Sequence, residues 1–431
     1  MMNLYVISLG CDKNRVDTEK MLFRLRGMFN VVADIEQADV IIINTCGFIE
    51  PARVEAIDTI LEAIEYKKRR CSKLIVTGCL PQKYMDELIE SLPEVDAFLG
   101  TNDYDKIVDV VSSSQKACYN SSNPCAEIEG RILTTPPHYA YLKIADGCDN
   151  FCTYCTIPSI RGKYRSVPIE QLINEARELT SSGVKELILV AQDVTRYGID
   201  LYSSYKLVDL IRELSKLDLK WIRLMYCYPE LVTDELIDEI VANNKVVKYI
   251  DVPLQHVDGE ILRKMNRTTS EKTVLTLIDK LISKEIAVRT TLMTGFPTES
   301  DEQFDKLCKF VSSKRLRHVG VFAYCEEDTP SKKIKGKVPV RLRQKRAKTI
   351  SLLHKENVAL YNKSMVGKTV TVLYEDVDYD KMMFVGRTAD CAPEIDTLVY
   401  FKANYANVGE FYNVLITGVR GYDLIGEAIN E

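Results

Sequence analysis

The chain has 431 residues, enough for about three domains that each bury a core, so a disulfide-stapled miniprotein is excluded. Hydrophobic residues make up 46% and charged residues 28%, and the net charge of -5 gives no globally basic footprint for nucleic acid. The chain contains 13 cysteines but only 4 histidines. Its sequence shows neither the pattern of a signal peptide nor an apolar run long enough to span a membrane. We therefore expect a cytoplasmic protein without a membrane partner, whose grouped cysteines are metal ligands or catalysts.

Residues 1–115 alternate short apolar runs with helical patterns, which is typical of a parallel α/β domain. A cysteine follows each of the three clearest runs, at Cys11, Cys46 and Cys79. Because the carboxyl ends of parallel strands lie at one edge of a sheet, these cysteines are predicted to meet at one site. Three buried core thiols are the alternative, but the repeated position after three strands favours a cluster.

The rest of the chain divides into four predicted parts. Residues 116–136 lose periodicity and gain Ser, Asn and Pro, which predicts a linker. Six strands alternating with helices over 137–330 predict a partial TIM-type barrel, with functional residues at the strand carboxyl ends. Residues 331–363 form a basic connector, and 364–431 have the short strands and turns of a small β-barrel.

The most informative motif comes directly after the first strand of the predicted barrel. Cys148, Cys152 and Cys155 lie within eight residues, in a loop that begins after a glycine. Structural zinc sites are closed by four ligands, and no fourth ligand follows at zinc-finger spacing. A four-iron cluster also takes four ligands, one for each iron, so three cysteines leave one iron free. An open coordination position is typical of a catalytic metal site.

This CxxxCxxC motif, with the aromatic Tyr154 before its last cysteine, resembles that of the radical S-adenosylmethionine enzymes. The resemblance implies a four-iron, four-sulfur (4Fe-4S) cluster whose open iron binds S-adenosylmethionine and whose electron cleaves it to a 5'-deoxyadenosyl radical. It assigns cofactor contacts to residues in this loop and just past predicted strand ends, namely Tyr154, Gln192, Asp193, Gln255, Gly295 and Glu299. For Gln192, Asp193 and Gln255, each taken alone, a satisfied polar residue at a strand end is the alternative.

The two cysteine triads, followed by a small β-domain, resemble the methylthiotransferases over the whole chain. In that family the N-terminal triad, here Cys11, Cys46 and Cys79, binds a second 4Fe-4S cluster that carries or donates sulfur. The implied architecture is α/β, with a parallel N-terminal domain, a radical S-adenosylmethionine partial barrel and a TRAM-like β-barrel. The implied net reaction replaces C-H by C-S-CH3, with S-adenosylmethionine as the source of both the methyl group and the radical.

Segments such as SLGCDKNRVDTE and NTCGFIEPARVEAID resemble the branch that modifies an aspartate in a basic ribosomal protein of the small subunit. The tRNA branch instead reads YGCQMN and NTCSVR at these places. Residues 364–431 hold 11 acidic and 5 basic residues, a charge that suits a basic protein better than RNA. The resemblance also implies a low-potential electron donor, and leaves open whether the substrate is free or on the assembled subunit.

Several alternatives stay open at this point. Nine Lys and Arg residues within 331–348 predict either contact with rRNA or a solvated connector helix. The enzyme alternative is a tRNA N6-substituted adenosine methylthiotransferase. A two-cluster electron carrier is a further alternative, but it would need eight cysteine ligands and the two triads supply six. A zinc-binding scaffold is a less favoured hypothesis than the electron carrier. Cys118 and Cys125 would be reactive if exposed, although no role is assigned to the cysteines outside the triads, which are Cys71, Cys118, Cys125, Cys227, Cys308, Cys325 and Cys391.

Overall fold

The computed structural model describes residues 1–124 and 129–429. Its contacts divide the chain into two compact units. The first comprises Met1–Thr134, Asp146–Arg165 and Cys325–Lys332, and the second comprises Thr135–Ala145, Ser166–Tyr324 and Lys333–Glu431. Both cysteine triads therefore belong to the first unit, although the motif of the second triad begins only after residue 145.

The first unit contains a six-stranded parallel sheet in the order β2-β1-β3-β4-β5-β6. Its strands are β1 (Met2–Ser8), β2 (Phe29–Val31), β3 (Val40–Thr45), β4 (Lys73–Gly78), β5 (Ala97–Leu99) and β6 (Ala117–Tyr119). The connecting helices are α1 (Asp12–Arg24), α2 (Glu50–Lys67), α3 (Cys79–Ser91) and α4 (Ile107–Ser112), with short 3-10 helices at Ile35–Gln37 and Tyr104–Lys106.

Helices cover this sheet on both faces. Side chains alternate along a strand, so β3 sends Ile41 and Ile43 into one core and Ile42 into the other. The first core also contains Ile60 of α2, and the second contains Met21 of α1. A parallel sheet buried on both faces explains why the strands read as continuous apolar runs in the sequence.

Three of the six strands, β2, β5 and β6, were not predicted from the sequence. Each is only three residues long, which is too short to show a hydrophobic periodicity. The prediction that 116–136 is a linker is wrong at its start, since β6 pairs in parallel with β5. This strand is defined by its backbone pairing with β5 at the edge of the sheet and not by a pattern of side chains. Cys125 lies outside the described residues.

The second unit contains a parallel sheet in the order β7-β10-β11-β12-β13-β14, which is open between its first and last strands. These strands are β7 (Tyr139–Lys143), β10 (Glu186–Val190), β11 (Trp221–Leu224), β12 (Val246–Asp251), β13 (Ala287–Thr294) and β14 (His318–Ala323). The short strands β8 (Ala145–Asp146) and β9 (Arg165–Ser166) pair with each other. Strands in sequence order and an open sheet confirm the predicted partial barrel.

Helices connect these strands, as the helical patterns predicted. They are α6 (Ile169–Ser181), α7 (Ile199–Tyr202), α8 (Leu207–Leu214), α9 (Asp234–Ala242), α10 (Gly259–Lys264), α11 (Glu271–Ser283) and α12 (Asp301–Lys314), while α5 (Ile157–Arg161) belongs to the first unit. Short 3-10 helices lie at Val194–Arg196, Pro229–Leu231 and Pro330–Lys333. The apolar residues Leu172, Ala176 and Leu179 of α6 are buried, and their three- and four-residue spacing is that of one helix face.

The chain ends in a long helix and a closed five-stranded barrel. Helix α13 (Val340–Met365) leads into the barrel, whose strand order is β15-β16-β17-β19-β18. The barrel strands are β15 (Thr369–Asp378), β16 (Met383–Thr388), β17 (Val399–Lys402), β18 (Phe411–Arg420) and β19 (Asp423–Ala428). The predicted small β-barrel is confirmed. Among the described residues, no helix is long and apolar enough to span a membrane.

Buried ion pairs hold this barrel at the amino ends of the parallel strands. Glu186, the first residue of β10, accepts hydrogen bonds from Arg387 of β16 and from Arg223 of β11 at 2.7 Å, and all three side chains are fully buried. Although burial by itself raises the pKa of Glu186, the two guanidinium groups lower it below its usual value. Arg289 of β13 pairs with Asp396 at 2.8 Å. The barrel is thus fixed at the end of the sheet opposite the strand carboxyl ends.

The basic stretch 331–348 differs from a uniformly solvated connector. Arg343 and Arg346 are buried on α13, where Arg346 pairs with Glu299 at 2.5 Å and Arg343 donates to the carbonyl of Val338 at 2.6 Å. The other seven basic residues of the stretch are exposed. Two of the nine basic residues therefore stabilise the fold, and because they are buried they cannot contact a binding partner.

Candidate functional site

The N-terminal triad lies at the carboxyl ends of three neighbouring strands. Cys11 comes soon after β1, Cys46 directly follows β3, and Cys79 directly follows β4. The register places Thr45 of β3 opposite Gly78 of β4, so Cys46 and Cys79 leave the sheet side by side. The sheet therefore brings together cysteines that are distant in the sequence, as the analysis of the strand ends predicted.

Glycines beside the cysteines let the three loops approach each other closely. A Cβ atom at Gly10 would lie 2.8 Å from the Cβ of Cys46 and 3.4 Å from its sulfur. A Cβ atom at Gly47 would lie 2.8 Å from the carbonyl oxygen of Cys79. Larger residues at these positions would push the loops apart, so the glycines are part of the construction of the triad.

Burial dominates the acid-base properties of this triad. It raises the pKa of the Cys79 thiol to about 12, while the Arg161 guanidinium acts in the opposite direction and the neighbouring Cys11 and Cys46 act in the same direction. Burial also raises the pKa of Cys46. Both thiols are therefore protonated at neutral pH in the free protein, and binding a cluster must release their protons.

Helix ends add a favourable field for bound thiolates. Helix α1 begins directly after Cys11, and α3 begins at Cys79, and each helix has 13 residues. The amino end of a helix carries partial positive charge, which stabilises a nearby thiolate. The donor set, the glycine-lined approach and the helix ends together fit an iron-sulfur cluster.

The second triad lies in the loop between β8 and α5. The amide of Cys148 donates to the carbonyl of Gly162 at 3.1 Å, and the amide of Cys155 donates to the carbonyl of Cys152 at 3.0 Å. The three cysteines are half-buried, while Phe151 between them is exposed. The backbone thus holds a compact loop that presents three thiols at its surface, which fits a cluster with one accessible iron.

The two cysteine-bearing regions contact each other within the first unit. The hydroxyl of Thr156 donates to the carbonyl of Phe48 at 3.3 Å, which joins the Cys148 loop to the segment after Cys46. The amide of Ser331 donates to the carbonyl of Thr153 at 2.8 Å. The structure therefore places both triads in one compact body.

Gly147, directly before Cys148, has a backbone conformation and a close contact that favour glycine. It has a φ of 78°, and a Cβ atom there would lie 2.1 Å from the carbonyl oxygen of Lys163. We expect Gly147→Ala to displace the loop, and the reconstituted protein to lose about half of its iron if each triad holds one four-iron cluster. Iron analysis with the absorbance of the clusters measures this loss.

Gly183→Ala is the matched control for that variant. Gly183 also has a positive φ, of 104°, but a Cβ atom there meets nothing within 4 Å. This variant is expected to keep the iron content of the unchanged protein. Equal iron in the two variants would contradict the role of the close approach at Gly147.

Two acidic residues assigned to the cofactor are bound by protein groups. Asp193 is fully buried and accepts a hydrogen bond from the amide of Thr195 at 3.1 Å. Glu299 accepts from the amide of Gly295 at 2.9 Å and pairs with Arg346. Both carboxylates stabilise turns after strands of the second unit, and their contact with the cofactor stays a prediction.

The remaining predicted contacts lie in two different places. Gln192 follows β10 in the second unit and is half-buried. Gln255, with a φ of 68°, donates its amide to the carbonyl of Thr291 at 2.8 Å and thereby joins the end of β12 to β13. Tyr154 belongs to the Cys148 loop of the first unit and is half-buried. Their assignment to S-adenosylmethionine also stays a prediction.

Known families match the three parts of the chain. Residues 3–100 match the uncharacterized protein family UPF0004, residues 142–311 match the radical SAM superfamily, and residues 366–429 match the TRAM domain. The ribosomal protein uS12 methylthiotransferase RimO of Clostridium tetani is 44% identical over 99% of this chain and 98% of its own length. The protein of the same name from Thermoanaerobacter sp. is 47% identical over 99% of this chain and 100% of its own length.

The chain belongs to the ribosomal protein uS12 methylthiotransferase family. It is a radical S-adenosylmethionine enzyme of the methylthiotransferase class, and its superfamily implies S-adenosylmethionine and a 4Fe-4S cluster as cofactors. The alternative assignment to the tRNA methylthiotransferases is not favoured, because the relatives found over nearly the full length carry the name of the ribosomal branch.

Solved structures support the fold. The radical S-adenosylmethionine methyltransferase TsrM from Kitasatospora setae matches with a TM-score of 0.56 at 12% identity, over 76% of this chain and 73% of that one. The cobalamin-dependent radical enzyme OxsB matches with a TM-score of 0.53 at 12% identity, over 82% of this chain and 56% of that one. At this identity the likeness concerns the fold alone.

The two cysteine triads are not arranged to hold a single metal ion. Within residues 1–124 and 129–429, no three His, Cys, Asp or Glu side chains are grouped so that they could hold one metal ion. A 4Fe-4S cluster asks for a different arrangement, since each cysteine binds a different iron and the sulfurs surround the cluster. The twelve described cysteines form no disulfide bond, and Cys118 is exposed.

The sequence analysis missed the charged residues beside the N-terminal triad. Arg161 donates to the sulfur of Cys79 at 3.7 Å and to Asn14 at 2.6 Å, and it pairs with Asp17 and Asp146 at 2.9 and 2.8 Å. The only sequence signal for Arg161 is its position shortly after the CxxxCxxC motif, at the end of a short helix. Nothing local connects it with a cysteine 82 positions away.

Proposed function

We propose that this methylthiotransferase modifies the β-carbon of an aspartate in ribosomal protein uS12, with two 4Fe-4S clusters. The main support is the presence of two separate cysteine triads in one compact unit of a chain that is similar over nearly its full length to enzymes of that name. A β-carbon next to a carboxylate offers no acidic proton at neutral pH, so radical abstraction suits this target better than general base catalysis.

Each triad would hold one of the clusters. Cys148, Cys152 and Cys155 would bind the cluster that works with S-adenosylmethionine, and the N-terminal triad would bind the second cluster. When bound, the two clusters supply the radical chemistry and the sulfur. The protein contributes three sulfur ligands to each, and the number three leaves one iron of each cluster for cofactor or sulfur.

The substrate and the other partners follow from the same proposal. The basic protein uS12 would be taken either free or on the assembled subunit, and a low-potential electron donor would reduce the enzyme. The seven exposed basic residues of 331–348 would be the ones that contact rRNA, since Arg343 and Arg346 are buried. Phosphate contacts made by these residues would weaken as salt is added.

Mass spectrometry of uS12 from a strain that lacks this gene tests the substrate. We expect uS12 to lose the mass of one methylthio substitution, and to regain it when the intact gene is restored. Restoring a gene with Cys152→Ala should not return the mass. An unchanged uS12 mass together with a missing methylthio nucleoside in tRNA would contradict the proposal and identify the tRNA branch.

A further inference from the structure

A buried arginine connects the two cysteine regions of the first unit. Arg161 is the last residue of α5, the helix that follows the Cys148 loop, and its side chain is only 2% exposed. Its Nη2 atom donates to the sulfur of Cys79, at 3.7 Å, in the other triad. A guanidinium is charged at all relevant pH values, so the Cys79 sulfur has a permanent positive charge beside it.

Asn14 fixes the direction of this contact. Its side-chain amide donates to the carbonyls of Leu9 and Thr45, at 3.2 and 3.0 Å, in the segments that lead to Cys11 and Cys46. The amide group is thereby oriented with its oxygen toward Arg161, whose Nη2 donates to it at 2.6 Å. Arg161 and Asn14 together contact all three cysteine-bearing segments of the N-terminal triad.

Two carboxylates pair with the guanidinium on its other side. Asp17 and Asp146 both pair with Nη1, at 2.9 and 2.8 Å. These two carboxylates use only Nη1, and a guanidinium has five N–H donors. The remaining Nη2 atom is directed at Asn14 and Cys79, which places a donor on a sulfur that would be a cluster ligand.

We propose that Arg161 is a positioning residue that raises the reduction potential of the N-terminal cluster through its hydrogen bond to the sulfur of Cys79. The inference rests on the proposed function, in which Cys11, Cys46 and Cys79 hold that cluster. Reduction adds a negative charge to a cluster, and a nearby cation with an N-H donor on a ligand sulfur stabilises the reduced form. The low dielectric of the buried site strengthens the effect, and Asp17 and Asp146 offset part of it.

The test is a redox titration of the N-terminal cluster by itself. The full chain carrying Cys152→Ala, which removes a ligand of the radical cluster, is reconstituted anaerobically and titrated with EPR detection. Adding Arg161→Gln is expected to shift the potential to a more negative value. Arg70→Gln is the matched control, because it removes one positive charge from the same unit at an exposed pair with Asp39 and should leave the potential unchanged.

A second variant decides the matter if Arg161→Gln fails to fold or to keep its cluster. Asp17→Asn removes a carboxylate that offsets the guanidinium, so it is expected to shift the potential in the opposite, more positive direction. The inference is overturned if Asp17→Asn leaves the reduction potential of the cluster unchanged. It is also overturned if Arg161→Gln folds, keeps its cluster and has an unchanged potential. A merely structural pair would not produce two shifts of opposite sign.

The same experiment separates this inference from the proposed function. If the Cys152→Ala protein binds no cluster at the Cys11, Cys46 and Cys79 triad, the two-cluster proposal itself is wrong. If the cluster is present and its potential does not respond to Arg161 or Asp17, the proposed function stands and only the inference is overturned.

Discussion

Cys152→Ala and Cys79→Ala are expected to abolish methylthiolation for different reasons, each by at least about 100-fold, because loss of a direct ligand should cost no less than loss of an outer-shell partner. Cys152 would be a ligand of the cluster that works with S-adenosylmethionine, so its loss should also stop the reductive cleavage of this cofactor. Cys79 belongs to the other triad, so its variant should still cleave the cofactor but transfer no methylthio group. Chromatography of 5'-deoxyadenosine and mass spectrometry of uS12, measured on the same samples, check the two steps.

Cys118→Ala is the matched control for both variants. Cys118 lies in the same unit, but its side chain is exposed on β6 and belongs to neither triad. This variant should cleave the cofactor and modify uS12 as the unchanged enzyme does. Methylthiolated product from the Cys79→Ala protein would show that the N-terminal triad is not required for transfer.

Arg387→Met is expected to destabilise the attachment of the C-terminal barrel by about 3–5 kcal/mol, because it breaks a fully buried ion pair and leaves Glu186 with Arg223 but without Arg387. Arg387 is fully buried, bonds to Glu186, and donates to Glu375 at 2.9 Å. The single tryptophan of the chain, Trp221, packs on Phe411 of this barrel at a ring distance of 4.8 Å. Urea unfolding followed by tryptophan fluorescence therefore reports on this interface.

Lys216→Met provides the comparison for an exposed ion pair. Lys216 pairs with Glu213 at 2.6 Å, but the two side chains are 67% and 43% exposed. Exposed pairs contribute about 0–1 kcal/mol, so this variant should unfold at nearly the urea concentration of the unchanged protein. An Arg387→Met protein that unfolds with the same midpoint and slope would contradict the importance of the buried network.

The same network changes how the acidic C-terminal domain is understood. The sequence suggested that its excess of acidic residues complements a basic protein substrate. In the structure, Asp390 pairs with Arg317 at 2.8 Å, Asp396 pairs with Arg289, and Glu375 contacts His138 at 3.1 Å. A part of the acidic charge therefore joins the barrel to the parallel sheet, and only the rest is available for a partner.

Local patterns predicted the regular elements well where those elements are long and amphipathic. Helices α6 and α9 are examples from the predicted alternation of strands and helices over 137–330, because apolar residues at three- and four-residue spacing mark one face of each helix. The three-residue strands β2, β5 and β6 have no such pattern, and pairing with a neighbour alone defines them. Sequence reasoning therefore recognised the sheet but not its edges.

The sequence by itself determined the number and placement of the candidate cluster ligands. Three cysteines after three strands and three more in a CxxxCxxC loop are local features, and the rule that parallel strands share one carboxyl edge was enough to predict the N-terminal triad. Only the tertiary structure decided what surrounds the sulfurs. Arg161 lies beside Cys79 because the chain folds residues 82 positions apart against each other, and no local spacing encodes such a contact.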